Sequence, residues 1–525
     1  MMNQKKSSLL TRREFLRCSA LLAGAAFLST LRSVVPAPIQ KRTQDSPTVI
    51  FIVADALRAD HVSAYGYSTP TTPNLDKWVA AHGARFTQAT SPAPWTYPAS
   101  AAMMTGRSPT QLTANWETRT LPMDVTTLAE YLHFSGYYTA GFASTSFLGG
   151  EYGFARGFDI YDDWVAHNHK TSTSGGAAVI NDHVFTWFKN TWNGLTQPLF
   201  LFLYYSDPHS WYYPPTPYDT LYDPNYIGEL TPESYGNGQA AMAGTKVPVV
   251  RDLQHLLSLY DGEITFWDYH IGQMFTFLQQ QGLLEHALIV VTSDHGELFG
   301  ENGMWVHGNC LYEEVLRIPL LLRYSGVVPA GSVVDTPAQN MDIMPTILDF
   351  LDITYSPEIQ GVSLAPVLEE QISPTISSSR STYSELDKVT DPQHWAYAIA
   401  PRTDLRCIQR DGWKLIHHVD HPEDDELYFL NSESVYETEN LIHENPALAQ
   451  ELRQLLWDWF QLPSTASSPY TTERVLPEAK LGQFQALQRS PNPRPSPETG
   501  NFWRGWFSGR PHTKLRAKGG SSVPR

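Results

Sequence analysis

The chain of 525 residues is 42% hydrophobic and contains 15 tryptophans, which is enough for one large core with an appendage, as in large α/β enzymes. Its formal net charge of −17 argues against a nucleic-acid-binding body. Its three cysteines, Cys18, Cys310 and Cys407, exclude a disulfide framework and allow at most one pair.

Residues 1–37 have the features of an export signal. The stretch "TRREFLRCSALLAGAAFLSTL" begins with Arg12 and Arg13, continues into a modestly apolar run, and is followed by the small residues of "VVPAPI". This order is typical of a twin-arginine signal. The alternative is a membrane anchor, but a spanning helix needs about 20 apolar residues and the run is shorter. We therefore expect an exported protein, periplasmic or extracellular, with no transmembrane segment in the mature chain.

Residues 47–375 alternate short apolar runs with helical patterns, which predicts an α/β domain with a mostly parallel sheet covered by helices on both faces. The predicted buried strands are 48–55, 137–144, 198–207, 287–296 and 318–324. The predicted helices are 72–83, 125–136 and 259–282, each of which ends in glycine. Residues 210–250, rich in Tyr, Pro and Gly, are expected to form a long loop near the site.

A second module is predicted at 380–462. The runs 413–419 and 425–430 suggest two strands of a small antiparallel sheet, and the amphipathic pattern of 445–462 predicts a helix that packs on it. Residues 464–525 are rich in Ser, Pro and Arg, so we expect a disordered tail. The chemistry is therefore expected in the first module, with the second supporting it.

Acidic and imidazole side chains lie at the ends of three predicted strands. Asp55 ends the first, Asp207 and His209 follow the third, and Asp294 and His295 follow the fourth. Open α/β sheets bind ligands at this edge. A lone Asp after a strand is more often a helix cap, but the joint occurrence of these residues indicates a metal site. Carboxylates with an imidazole suit Mn²⁺, Mg²⁺, Zn²⁺ or Ca²⁺.

The stretch "SPAPWTYPASAAMMTGRSP", residues 91–109, places Thr96 just before a helix that is expected to start at Pro98. A threonine hydroxyl is a poor nucleophile until its proton is made labile, which a neighbouring metal ion can do. The helix N-terminus would add backbone N–H groups that bind an anion such as sulfate or phosphate. Thr96 is therefore the predicted nucleophile.

The chain resembles the sulfatase branch of the alkaline phosphatase superfamily from about residue 47 to 460. The matching stretches occur in family order and include "VADALRADHVSAYGY", "PWTYPASAAMMTGR", "DPHSWYYPP" and "VTSDHGELFGENGMWVHGNCLYEEVLRIPLLL". The resemblance implies a central mixed, mostly parallel sheet flanked by helices, with a small C-terminal subdomain of antiparallel sheet and helix. It also implies one divalent metal ion and roles for six residues: Asp55, Asp294 and His295 as metal ligands, Thr96 as nucleophile and further ligand, and His209 and His307 as contacts to substrate and leaving group.

Four positions depart from the sulfatase pattern. Thr96 stands where sulfatases have a cysteine or serine that is converted to formylglycine, and Ser100 replaces the arginine of that motif. Ala56 replaces the second of two adjacent acids, and His307 replaces a lysine. Threonine nucleophiles occur in nucleotide pyrophosphatase/phosphodiesterases and lipoteichoic acid synthases of the same superfamily. The departures therefore favour phosphate esters or diesters over sulfate esters.

The main prediction is a metal-dependent hydrolase acting on a small-molecule, glycan or lipid-headgroup anionic ester. Three alternatives stay open. The first is a sulfatase proper. The second is a transferase that passes a phosphoryl-linked group to a sugar or lipid, and the third is an inactive homologue that binds anionic glycans. The sequence predicts neither the substrate nor the oligomeric state.

Overall fold

The computed structural model describes residues 46–164, 176–192, 196–228, 230, 249–369, 380–431 and 435–461. The predicted export signal at 1–37 and the predicted tail at 464–525 lie outside these residues. Residues 231–248 of the predicted loop lie outside them as well.

Half of the described strands belong to one large sheet. The strands are β1 (Val49–Ala54), β2 (Ala84–Phe86), β3 (Ala89–Thr90), β4 (Tyr138–Ala143), β5 (Ile160–Asp162), β6 (Leu199–Tyr205), β7 (Leu288–Ser293), β8 (Leu298–Phe299), β9 (Trp305–Val306), β10 (Leu320–Tyr324), β11 (Ser332–Val334), β12 (Ala338–Gln339), β13 (Thr382–Leu386), β14 (Leu405–Arg410), β15 (Trp413–His418) and β16 (Glu426–Phe429). Within the described chain, eight of them pair in the order β11-β2-β10-β7-β1-β6-β4-β5. All five strands predicted for the first module are in this sheet, as β1, β4, β6, β7 and β10.

The block from β7 to β5 is parallel, whereas β10 runs antiparallel to both of its neighbours. The sheet is therefore mixed but mostly parallel, as predicted. Every residue of β1, β6 and β7 is buried. Central parallel strands are covered on both faces, which is why they appear in the sequence as continuous apolar runs rather than alternating ones.

Helices cover both faces of the sheet. The described α-helices are α1 (Pro73–Trp78), α2 (Thr96–Thr105), α3 (Pro109–Leu112), α4 (Leu128–Phe134), α5 (Gly176–Trp187), α6 (Val250–Gln280), α7 (Glu313–Leu316), α8 (Ile343–Phe350), α9 (Ala365–Glu369) and α10 (Pro446–Phe460). One face of the sheet packs against α2, α4 and α8, and the other against α1, α5 and α6. None of the helices in the described ranges has the length and apolar character needed to cross a bilayer.

Several predicted helix boundaries were wrong, including the start of α4, which is Leu128 rather than residue 125. Helix α6 begins at Val250 rather than at residue 259, because the segment from Val250 buries His255 and Leu256. Helix α1 ends at Trp78, and a 3₁₀ turn continues the chain to His82. Helix α2 begins at Thr96 and not at Pro98, which brings the predicted nucleophile into the first helical position.

The C-terminal module is a sheet with one helix packed on it. The two predicted strands are β15 and β16, and within the described residues the sheet also contains β13 and β14, all in antiparallel order. Helix α10 covers one face, where Leu452 and Leu456 pack against Leu415 and Leu427. The predicted strand pair and helix are therefore confirmed, and the sheet is twice as wide as expected.

A buried ionic cluster joins this module to the main sheet. The Lys414 ammonium of β15 lies 2.6 Å from carboxylate oxygens of both Glu313, at the start of α7, and Glu437. Lys414 is fully buried. Burial lowers the pKa of the ammonium, but the two carboxylates outweigh burial and hold its pKa above the ordinary value. The cluster therefore carries its own positive charge.

Candidate functional site

The carboxyl ends of β1 and β7 bring three predicted ligands together. The strands are parallel neighbours with Ala54 paired to Ser293, so the next residues, Asp55 and Asp294, leave the sheet side by side. In the described part of the chain, Asp55, Asp294 and His295 each offer one ligand atom, and these atoms lie within 4.8 Å of one another. All three side chains are buried.

Hydrogen bonds fix both oxygens of the Asp294 carboxylate. Oδ1 accepts from the backbone N–H groups of Ala56, at 3.1 Å, and His295, at 2.9 Å. Oδ2 accepts from the Tyr204 hydroxyl at 2.6 Å. The Ala56 bond depends on an unusual backbone, since Ala56 has a φ of 60°. Such a conformation is uncommon for a residue other than glycine, and here it turns the N–H toward the carboxylate.

The His295 ring presents one specific nitrogen to the acids. Nδ1 lies 2.8 Å from the Gly296 carbonyl oxygen; because a carbonyl only accepts, Nδ1 carries the hydrogen. Nε2 is therefore free as a ligand atom, 3.6 Å from Asp55 Oδ1 and 3.4 Å from Asp294 Oδ2. Burial lowers the pKa of His295, which favours the neutral, ligating imidazole.

The loop that carries His295 is held tightly from behind. The N–H groups of Gly296 and Glu297 donate to the carbonyls of Val315 and Glu314, at 2.9 Å and 3.0 Å. A Cβ atom at Gly296 would lie 2.0 Å from the Glu314 carbonyl oxygen. Only glycine fits this approach, so the Asp-His-Gly order is required by packing as well as by ligand chemistry.

The surroundings of the Asp55 carboxylate show whether a cation fits at this site. Its Oδ1 is buried and has no hydrogen-bond partner among the described residues. Burial, and next the charge of Asp294, raise its pKa well above the ordinary value. A buried, unpaired carboxylate beside a second one is costly unless a positive charge joins them. The donor set of two carboxylates and one neutral imidazole therefore fits one divalent cation.

Thr96 lies against this donor set. Its Oγ1 is 3.3 Å from His295 Nε2, and the residue is 2% exposed. As the first residue of α2, it stands where the backbone N–H groups of a helix lack intrahelical partners and attract anions. An anionic group bound here would meet a hydroxyl, a helix N-terminus and the proposed cation at one point.

Two further histidines complete the cluster. The His209 and His307 rings lie 4.9 Å apart, and His307 is 4.3 Å from the His295 ring. His209 Nδ1 donates to the Ser210 carbonyl at 2.5 Å, and His307 Nδ1 lies 2.9 Å from Glu297 Oε1. Burial lowers the pKa of both histidines to about 4, with the neighbouring His307 adding to the effect at His209.

The six residues predicted from the sequence are therefore in one cluster; their individual roles stay predictions. Asp207, which follows β6, is not part of the donor set. Its Oδ2 accepts from the Ala177 N–H in α5 at 2.8 Å, and its charge raises the pKa of the buried Glu263, after the larger effect of burial. Asp207 thus anchors the loop that carries His209.

Sequence reasoning missed three residues of the site. Tyr204 has the pattern of a core residue because it lies within an apolar strand. Glu297 was not singled out because the neighbouring Asp-His pair accounted for that segment. Tyr260, in α6, donates to the Ala56 carbonyl at 2.7 Å and supports the unusual turn there. The one available signal was position, since Tyr204 is a polar-tipped side chain one residue from the carboxyl end of β6.

Two family models match this chain. The model described as Sulfatase matches residues 47–353, and the model described as N-sulphoglucosamine sulphohydrolase, C-terminal, matches residues 300–461. An N-acetylglucosamine-6-O-sulfatase of Bacteroides thetaiotaomicron is 24% identical over 495 residues, covering 79% of this chain and 86% of the relative. A choline-sulfatase of Rhizobium meliloti is 24% identical over 436 residues, covering 72% of this chain and 84% of the relative.

Solved structures share the fold. A phosphonate monoester hydrolase from Silicibacter pomeroyi superposes with a TM-score of 0.64 at 22% identity, over 80% of this chain and 96% of its own. A second protein, solved with its substrate D-glucosamine-2-N,6-O-disulfate, superposes with a TM-score of 0.65 at 21% identity, over 79% of this chain and 97% of its own.

Proposed function

The chain belongs to the sulfatase family of ester hydrolases, and on that basis we propose that it hydrolyses phosphate esters or diesters with Thr96 as the nucleophile and one divalent cation. The observation that carries this proposal is the Thr96 hydroxyl itself, 3.3 Å from His295 Nε2 at the first position of α2. In the sulfatases that the chain resembles, this position holds a cysteine or serine that becomes formylglycine. Threonine is not known in the family as such a precursor, so its own oxygen has to attack.

The metal ligands and the nucleophile have separate roles in this mechanism. Asp55, Asp294 and His295 hold the cation, which when bound polarises the oxygens of the ester and makes the Thr96 proton labile. Thr96 Oγ1 forms a bond to phosphorus and gives up its proton to solvent, while the bond from phosphorus to the leaving oxygen breaks. Water then attacks the same phosphorus and the bond from phosphorus to Thr96 Oγ1 breaks. This step releases phosphate or the monoester, and a proton from the water restores the Thr96 hydroxyl.

We propose that His209 or His307 protonates the leaving oxygen. Their Nδ1 atoms are occupied by Ser210 and Glu297, so the Nε2 atoms are the ones that serve the substrate. General acid catalysis of this kind contributes about 10²–10⁴-fold. The buried Glu297 carboxyl behind His307 supports a positive charge on that ring when the substrate anion is bound.

A second candidate is sulfate ester hydrolysis. The relatives named above include an N-acetylglucosamine-6-O-sulfatase and a choline-sulfatase, which favours a sulfate group, whereas one structural neighbour is a phosphonate monoester hydrolase. We place phosphate esters first because Thr96 cannot supply the aldehyde hydrate of the sulfatase mechanism. We also propose that residues 1–37 direct export, so that the substrate is met outside the cytoplasm.

The deciding experiment is a matched substrate panel. Aryl sulfates, aryl phosphates, phosphodiesters and phosphonate monoesters with the same leaving group are tested on one preparation whose metal content is measured. We expect phosphate esters or diesters to be turned over fastest, with ¹⁸O from labelled water entering the released anion. Faster sulfate ester hydrolysis by protein whose Thr96 is intact by peptide mass would overturn the substrate preference. Absence of ¹⁸O together with a modified acceptor would indicate a transferase.

A further inference from the structure

Tyr204 is a residue of β6 whose side chain extends from the sheet to the candidate site. It is the sixth residue of β6, and along a strand successive side chains point to opposite faces. Tyr205 therefore points away and donates its hydroxyl to Asn181 Oδ1 at 2.9 Å, on the α5 side. Tyr204 points to the α2 side, and both tyrosines are fully buried.

The Tyr204 hydroxyl lies among the ligand atoms of the candidate cation centre. It donates to Asp294 Oδ2 at 2.6 Å. Thr96 shares a hydrogen bond with it, and the Asp55 carboxylate acts on it electrostatically. A tyrosine that only filled space under the helix would not need its oxygen at the meeting point of two acids and the nucleophile.

The neighbouring Ala56 makes this oxygen more significant. Ala56 directly follows Asp55 and supplies no side-chain ligand atom. The described donor set then offers three ligand atoms, from Asp55, Asp294 and His295, which is fewer than the six that an octahedral cation takes. A further oxygen ligand from β6 would add to this set without an acid at position 56.

We propose that Tyr204 contributes its hydroxyl oxygen as a ligand to the cation centre, beside Asp294 Oδ2. Adjacent oxygen ligands of a compact octahedral cation at 2.0–2.1 Å are about 3 Å apart, close to the 2.6 Å between these two oxygens. The inference rests on the proposed function, since it requires a cation at this centre.

The test uses two neighbouring tyrosines as a matched pair. Tyr204→Phe and Tyr205→Phe remove the same atom from buried side chains on opposite faces of one strand. The metal-free full chain and both variants are titrated with Mn²⁺, by competition against a chromophoric chelator. We expect Mn²⁺ affinity to fall about 10- to 100-fold or more in Tyr204→Phe and to stay within about twofold of wild type in Tyr205→Phe.

A loss of affinity would also follow if Tyr204 merely oriented Asp294, so a spectroscopic readout decides. Fe³⁺ is used as a probe because an iron-bound tyrosine oxygen gives a visible charge-transfer band. We expect one such band per chain in wild type and in Tyr205→Phe, displaced by excess Mn²⁺, and no band in Tyr204→Phe.

The outcomes separate the inference from its premise. A wild-type protein that binds Mn²⁺ and Fe³⁺ at one site without the band overturns ligation by Tyr204, even if the Tyr204→Phe protein does not fold. A band that survives in folded Tyr204→Phe overturns it as well. A wild type that binds neither ion refutes the cation centre of the proposed function itself.

Discussion

Two pairs of buried carboxylates in this molecule have opposite surroundings. At the junction of the modules, Glu313 and Glu437 share the ammonium of Lys414, 2.6 Å from each. At the ends of β1 and β7, the largest influences on Asp55 are burial, Asp294, Tyr204, Glu297 and Asp207, none of which is a cation. The first pair is complete within the chain and stabilises the fold. The second has no cation among its largest influences and fits a positive charge from outside, as a binding site does and a structural contact does not.

The largest expected effect separates chemistry from folding. Thr96→Ala should lower the turnover number by about 10³-fold or more, because it removes the attacking oxygen, while thermal unfolding and metal content stay near wild type. Thr105→Ala is the matched control, since Thr105 is a buried threonine at the other end of α2 whose hydroxyl donates to the Ala101 carbonyl and accepts from the Arg107 N–H. Retention of a tenth of wild-type activity in Thr96→Ala would remove the covalent mechanism.

The junction is tested by removing its cation. Lys414→Met should lower the free energy of unfolding by about 3–5 kcal/mol, because it leaves Glu313 and Glu437 buried without a counterion. The control is Lys388→Met in the same module. The ion pair of Lys388 with Asp420 is at the surface, so this change should leave the free energy of unfolding near that of wild type. Chemical denaturation measures both. A loss below 1 kcal/mol for Lys414→Met would show that the two pairs differ less than their geometry indicates.

The site is tested by removing the external cation. In wild-type protein with the free cation at a hundred times its Kd, bound cation should add about 2.7 kcal/mol to the free energy of unfolding. A chelator should remove this contribution. In Asp55→Asn the chelator should have little effect, and the metal-free variant should be at least as stable as metal-free wild type, because an amide has no charge to desolvate. Thermal unfolding with and without chelator checks this. Identical chelator shifts in both proteins would exclude Asp55 as a ligand.

The smallest expected effect concerns Asp425, a carboxylate of the C-terminal module that accepts hydrogen bonds from three residues of the same module. Burial raises the pKa of Asp425, but hydrogen bonds from His417, the His418 N–H and Arg453 outweigh it and lower its pKa below the ordinary 3.8. The stability from these bonds is therefore present above about pH 4 and is lost as pH falls through the lowered pKa.

Asp425→Asn should cost about 1.5 kcal/mol at pH 7, and the difference from wild type should shrink as the pH falls below 4. Asp411→Asn, at an exposed position in the turn between β14 and β15, should show no such pH dependence. Urea denaturation at pH 7 and at low pH measures both. A constant difference across this range would mean that the carboxylate charge is not what stabilises the module.

The sequence predicted the central strands and the gathering of the six site residues because both depend on local pattern. A strand covered on both faces is a continuous apolar run, and a polar residue directly after it must lie at the carboxyl edge. The strands β13 and β14 were missed because "TYSEL" and "LRCIQR" mix polar with apolar residues. The early start of α6 was missed because "VVRDLQHLL" follows a segment rich in loop-forming residues.

Other features depend on contacts that only the tertiary structure creates. Nothing local pairs Lys414 with Glu313, which is 101 positions away. The positive φ of Ala56 is set by Tyr260 and Asp294, both distant in sequence. Tyr204 has the sequence signature of a core residue, and only the packing of α2 over β6 reveals that its hydroxyl meets two acids.

The hydrogen bond from Ala56 to Asp294 joins positions 238 apart, which sets the order of events during synthesis. A nascent chain that has passed Asp55 holds a carboxylate without its partners until β7 has emerged. Domains of this size fold through intermediates as they are completed, so cation loading has to follow the emergence of β7 and of His295. A chain truncated before residue 294 should therefore retain a nucleophile and one acid but no affinity for the ion.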